Sequence, residues 1–151
     1  MPILFDSSMY INALRIGGDA ALPLQRWARE SPLWLSSVVL EELYAGATRS
    51  DYRILEKLER DFERAKRMLV PNLGDWTQAG RVLARLAEKY GYEKIGQARL
   101  TNDALIATSA GRAGITVVTV NQRDFVRLAE FCPFEWQARG GQAAEPNSNP
   151  V

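Results

Sequence analysis

The sequence contains no histidine. That absence removes Ser-His-Asp and Cys-His catalysis and every imidazole metal site. Cysteine occurs once, at Cys132, which excludes an internal disulfide and a cysteine zinc site and suits a reducing cytosol. Neither sign of charge is in excess. The formal net charge is +1, so no bulk field announces a nucleic-acid or acidic partner, and any such partner must be met by a local patch. No apolar run is long enough to span a bilayer, and the first residues lack the basic start and long apolar stretch of a signal peptide. The expectation is a cytoplasmic protein without membrane association. Catalysis, where it occurs, must rest mainly on carboxylates, hydroxyls or lysine.

What is present is ordinary in bulk and informative in its order. The 151 residues suit one domain with a real core, and 46% apolar with 25% charged residues is usual for a globular protein. The most telling stretch is Leu100–Phe125. Thr101 and Asn102 are both good helix caps, and Asp103 falls in the first turn. Ala107, Ala110 and Gly114 recur on the face of Asp103, so this helix can lie close to a sheet. Thr116–Val120 is a β-branched run with little alternation, as in a strand buried on both faces. Asn121 and Asp124 follow directly.

Upstream, Ile3–Phe5 reads as a strand ending in Asp6-Ser7-Ser8, and Met9–Leu14 as a helix capped by Ser7 or Ser8. Gly17-Gly18-Asp19 reads as a loop and Ala20–Arg29 as a helix. Leu33–Leu35 and Met68–Val70 read as short strands. Ser37–Ala47, Asp51–Lys66 and Asp75–Tyr90 read as amphipathic helices, with Ile54, Leu55, Leu58, Phe62 and Ala65 facing inward on the second and Trp76, Ala79, Val82, Leu83, Leu86 and Ala87 on the third. Tyr92–Arg99 reads as a loop, Arg123–Glu130 as a short helix and Phe131–Phe134 as the last strand. A domain of residues 1–135 is expected, followed by a polar, disordered tail over residues 136–151. Strands alternate with helices throughout. The fold class is therefore α/β, three-layered, with a central mostly parallel sheet and helices on both faces.

Each acidic candidate has a plain structural explanation when taken alone. Asp6 can be a helix cap at the end of the first strand. Asp103 suits the positive end of a helix dipole. Asp124 can cap the short helix that follows. Glu41 and Glu42 flank the apolar arc of their helix about equally, so periodicity does not choose between them. Together these residues suggest more. Asp6, Asp103 and Asp124 all fall at strand carboxyl ends or helix starts, where open α/β sheets bind ligands. One of the two glutamates can join them. Three or four carboxylates at one edge raise each other's pKa unless a cation neutralises them. Oxygen-only ligands select hard ions, Mg²⁺ or Mn²⁺, and such ions suit phosphodiester hydrolysis.

Four segments, in order, carry a resemblance: Phe5-Asp6-Ser7-Ser8, Glu42-Leu43-Tyr44-Ala45-Gly46, Asp103-Ala104-Leu105-Ile106-Ala107 and Thr119-Val120-Asn121-Gln122-Arg123-Asp124-Phe125. They resemble the successive motifs of the PIN domain and, more narrowly, VapC-type toxins of type II toxin–antitoxin systems. The resemblance covers residues 1 to about 135. It implies a PIN-like fold, Glu42 rather than Glu41, and Asp6, Glu42, Asp103 and Asp124 as ligands of one or two Mg²⁺ or Mn²⁺ ions. It also implies an endoribonuclease acting on RNA such as tRNA, a homodimer, and a small antitoxin that blocks the acidic edge. The sequence departs from many PIN domains at Asn121, where they carry an acid; Asp124 then supplies the fourth carboxylate. Ser7, Thr119 and Asn121 are candidates to support the acids or hold phosphate.

Two further features have a structural and a functional explanation. Arg53, Lys57, Arg60 and Arg64 form a basic stripe that Glu56, Glu59 and Glu63 can neutralise at the surface, or that can meet RNA or an antitoxin. Lys94, Arg99, Arg112, Arg123 and Arg127 flank the acidic edge and are candidates for phosphate contact. Trp27, Trp34, Trp76 and Trp136 are expected in packing. The rival to an enzyme is a non-catalytic PIN-like module that binds RNA or protein.

Overall fold

The computed structural model describes residues 1–16, 31–98 and 100–139. The short apolar runs form five strands: β1 (Ile3–Phe5), β2 (Leu33–Ser36), β3 (Met68–Leu69), β4 (Thr116–Thr119) and β5 (Trp136–Ala138). They hydrogen-bond in the order β3-β2-β1-β4-β5, and every neighbouring pair is parallel. β1 and β4 are buried at every residue, which is why they read as unbroken apolar or β-branched runs.

The helices among the described residues are α1 (Ser7–Ile16), α2 (Ser37–Ala45), α3 (Tyr52–Arg64), α4 (Leu73–Tyr90), α5 (Tyr92–Ala98), α6 (Thr101–Ala113) and α7 (Gln122–Ala129). The chain first steps outward from β1 to β2 to β3. It then returns across the sheet to β4, on the other side of β1. Right-handed crossovers turn this reversal into two helix layers, α1–α3 on one face and α4–α7 on the other. The reversal also leaves a crevice between the carboxyl ends of β1 and β4, the position where such sheets bind ligands.

α6 packs hardest. Its residues Ala104 to Ala110 are all buried. The hydroxyls in that run donate to carbonyls, Ser109 to Leu105 at 2.6 Å and Thr108 to Asp75 at 3.1 Å. Gly111 lies so close to the loop after α7 that an added Cβ would stand 2.4 Å from the Pro133 carbonyl oxygen. Gly114 closes the helix in the left-handed region at φ 68°. α4 is fixed at its start by a reciprocal cap, the Asn72 side chain accepting from the Asp75 N–H at 2.8 Å and Asp75 accepting from the Asn72 N–H at 2.9 Å. Arg112 Nε then donates to both oxygens of the buried Asp75 carboxylate at 3.0 Å, tying α6 to α4.

Several sequence expectations need correcting. Tyr92–Ala98 is a helix rather than a loop. The last strand lies at Trp136–Ala138 rather than Phe131–Phe134, and it takes in the first residues of the stretch expected as tail. It pairs with β4, where Val117 opposes Trp136, and a partner strand outweighs the polar composition around it. Ile54 and Ala65 on α3 face solvent, as does Trp76 on α4; only Leu55 is fully buried on α3. Neither Thr101 nor Asn102 caps α6, which begins after Leu100 with no side-chain cap. The segment Gly17–Arg29, Arg99 and residues 140–151 lie outside the described residues. No described helix is long and apolar enough to cross a membrane.

Two glycine substitutions should separate close packing from helix propensity. Gly80, inside α4, has nothing within 4 Å of an added Cβ, so Gly80→Ala should stabilise by about 0.5–1 kcal/mol. Gly111→Ala should instead destabilise by about 1–3 kcal/mol because the Pro133 backbone must move. Urea unfolding of both variants measures the opposite signs.

Candidate functional site

The parallel register builds the site. Phe5 opposes Val118, so the next residues, Asp6 and Thr119, stand side by side where the two central strands end. The Asp6 N–H still donates to the Val118 carbonyl at 2.9 Å, which holds the residue in line with the sheet. Its buried carboxylate is then surrounded by donors. Oδ1 accepts from the Ser7 N–H at 2.7 Å and the Ser7 hydroxyl at 3.4 Å. Oδ2 accepts from Ser8 at 3.1 Å and Thr119 at 2.9 Å. The two serines, expected as helix caps, turn their hydroxyls to Asp6 instead.

Glu42 arrives on α2, the helix that leaves β2. Ser36 starts it by accepting from the Val38 N–H at 3.2 Å. Val38, Val39, Leu40 and Leu43 are buried and fix its rotation. That rotation leaves Glu41 exposed and Glu42 half-buried, the choice that periodicity left open. Glu42 Oε1 is buried without a hydrogen-bond partner. Burial, helped by the charges of Asp6 and Glu41 and opposed by the Ser7 hydroxyl and Asn102 amide, pushes its pKa up to about 7.

Asp103 sits in the first turn of α6. Burial raises its pKa to about 8, with further contributions from the charges of Asp6, Glu42 and Asp124. Each of the other three candidate acids is therefore near enough to be felt at Asp103. Asp124 stands in the first turn of α7, where its Oδ2 accepts from the Asn121 side-chain amide at 2.9 Å. The Asn121 backbone N–H donates to the Thr119 hydroxyl at 2.9 Å. Among the described residues, no group of three or more acidic side chains is drawn tightly enough together to hold an ion as it stands. Carboxylates that share an edge without a counter-charge repel one another and spread. The donor set still fits a hard divalent cation, because it is all oxygen and includes a buried oxygen with no other partner.

The structure gives two of the flanking cations other partners. Arg112 stands nine residues beyond Asp103 on α6, about 13 Å along its axis, and is paired with Asp75. Arg127 lies over the Tyr90 ring, 5.1 Å from its centre. Lys94 and Arg123 are exposed. On the basic stripe of α3, Lys57 pairs with Asp61 at 2.5 Å rather than with one of the three glutamates, and Glu59 accepts from the Tyr44 hydroxyl at 2.8 Å. Two contacts were missed in the sequence. Asn102 donates to Glu41 at 3.3 Å across the rim between α2 and α6, and the Asn121 amide serves Asp124. The first depends on which helices meet at the edge, and no local pattern encodes that; the second joins residues three apart at the start of one helix.

Residues 3–131 match the PIN domain family. The chain belongs to the PIN domain family. Solved structures share this PIN fold at low identity. A chain of the DNA-bound VapBC from Salmonella typhimurium is 23% identical, with TM-score 0.65, over 91% of this chain and 98% of that one. A chain of VapBC2 from Rickettsia felis, bound to a DNA fragment from their promoter, is 20% identical with TM-score 0.65, over 93% and 100%. VapBC-1 from nontypeable Haemophilus influenzae gives 22% and 0.60, over 91% and 98%. No curated protein matches significantly.

The electrostatics of this PIN domain set the sign of a pH effect. Asp103 and Glu42 are both raised above their ordinary values, so between about pH 4 and pH 8 the folded protein holds protons that the unfolded chain has released. Without metal, stability from these groups is full at low pH and lost as pH rises through that window. Asp103→Asn removes its share. Thermal melts in EDTA should show this variant gaining on the parent by at least about 1 kcal/mol between pH 5 and pH 8. A gain that does not grow with pH would show that Asp103 is not under this strain.

Proposed function

We propose that this chain is a Mg²⁺- or Mn²⁺-dependent endoribonuclease, the toxin of a type II toxin–antitoxin pair, with Asp6, Glu42, Asp103 and Asp124 as its metal-binding and catalytic acids. What carries the proposal is the convergence of the four acids at the carboxyl edge: Asp103, in the first turn of α6, is raised first by burial and then by the charges of Asp6, Glu42 and Asp124. Such a cluster is most stable with a cation in it, and its oxygen chemistry selects a hard one. Bound there, the cation supplies Lewis-acid polarisation of a phosphoryl oxygen and of the attacking water. Asp6 and Asp124 are hydrogen-bonded into position beforehand. Glu42 and Asp103 give up protons as the cation arrives, so binding should be favoured by rising pH. One of the carboxylates accepts the proton of the attacking water.

The fold likeness to chains of VapBC complexes supports an antitoxin partner. A basic side chain from that partner would satisfy the same carboxylates as the cation does. An RNA substrate, homodimerisation as in the toxins the motifs resemble, and a cytoplasmic site of action complete the proposal. A second reading, a non-catalytic module that binds RNA or protein, is favoured by one observation: among the described residues, no three acids stand close enough to hold an ion as they are.

Cleavage of pooled tRNA and ribosomal RNA by the purified chain, with Mg²⁺, with Mn²⁺ and with EDTA, decides between the two. Cutting should require the metal and fall by about a hundredfold or more in Asp6→Asn and Asp103→Asn, the scale of losing one electrostatic stabiliser. RNA binding in EDTA with no cutting in any metal would favour the second reading. In the same assay Glu42→Gln should lose most activity and Glu41→Gln should keep it. Equal effects would show that burial does not single out Glu42.

A further inference from the structure

We infer that Asn121 is a positioning residue: its side-chain amide fixes Asp124, and its backbone links that carboxylate through Thr119 to Asp6. This inference rests on the metal-dependent reading of the site. Asn121 occupies the cap position of α7, and a capping role would be the plain explanation for an asparagine there. The geometry rejects it, because the side chain makes no cap hydrogen bond to the helix. Its Nδ2 donates instead to Asp124 Oδ2 at 2.9 Å. The Asn121 N–H donates to Thr119 Oγ1 at 2.9 Å, and Thr119 Oγ1 donates to Asp6 Oδ2 at 2.9 Å.

The chain Asp6–Thr119–Asn121–Asp124 thus couples an acid at the end of β1 to an acid on α7. Thr119 is fully buried, so water does not compete for its hydroxyl. Asp6 is held by the sheet. Asp124 is not: it stands on a short helix without a side-chain cap, and the Asn121 amide is its hydrogen bond to the rest of the edge. With Oδ2 engaged, Oδ1 is left to a ligand. Hydrogen bonds behind a ligating carboxylate fix its orientation, and losing one typically weakens metal binding by 10–100-fold. A carboxylate at residue 121 could not donate this bond and would set two anions side by side.

The test is Mn²⁺ binding by the full-length chain, read from the electron paramagnetic resonance signal of the free ion, in a double-mutant cycle. Asn121→Ala should bind Mn²⁺ about tenfold more weakly than the parent while melting within a few degrees of it, because no helix cap is lost. Asn121→Ser, which keeps turn propensity but is too short to reach Asp124, should show the same loss. In an Asp124→Ala background, Asn121→Ala should cost nothing more, because its effect passes through Asp124. Unchanged affinity in both single variants overturns the role of Asn121 alone. A further loss in the Asp124→Ala background overturns it too, since Asn121 would then act directly. No Mn²⁺ binding by the parent overturns the metal reading of the site, and this inference with it.

Discussion

Repulsion among carboxylates at one edge of the sheet is the constraint to which the rest of the site responds. The strand order brings it about. Because β1 is flanked by β2 on one side and β4 on the other, the chain leaves three adjacent strands at the same edge. Acids that start or follow those departures meet there: Asp6 after β1, Glu42 on the helix after β2 and Asp124 after β4. α6, packed across β4 on its small and buried face, supplies Asp103. No group of these acids encloses an ion by itself. Each is instead stabilised by a different means.

The four acids divide into two pairs. Asp6 and Asp124 are met by hydrogen-bond donors, four at Asp6 and the Asn121 amide at Asp124. Glu42 and Asp103 are raised mainly by burial, which the Ser7 hydroxyl and the Asn102 amide offset only in part at Glu42. The site therefore joins two acids held by hydrogen bonds to two whose pKa burial raises.

The same economy governs the cations. Arg112 and Arg127, close to the edge in sequence, are committed to a buried aspartate and a tyrosine ring. Lys89 pairs with Glu130 at 2.5 Å and Tyr90 donates to the same carboxylate, joining the end of α4 to the end of α7. These contacts tie the helices of the second layer to one another.

The sequence by itself determined the α/β class, the buried central strands and the residue types available for chemistry. Continuous β-branched runs and the lack of histidine are local facts, and they need no knowledge of neighbours. It also placed Asp6, Asp103 and Asp124 at strand ends or helix starts. Helical periodicity could not separate Glu41 from Glu42, because both border the apolar arc; the packing of Val39, Leu40 and Leu43 decided between them. Nor could it show that Asn102 and Asn121 serve carboxylates rather than helix caps, since a cap residue and a rim donor are the same amino acid. Tyr92–Ala98 and Trp136–Ala138 were misjudged for a related reason. A short helix or edge strand with weak propensity forms because a neighbour is there to pair or pack with it. Only the tertiary structure supplies the neighbour, and with it the long-range charge that turns four ordinary acids into one coupled site.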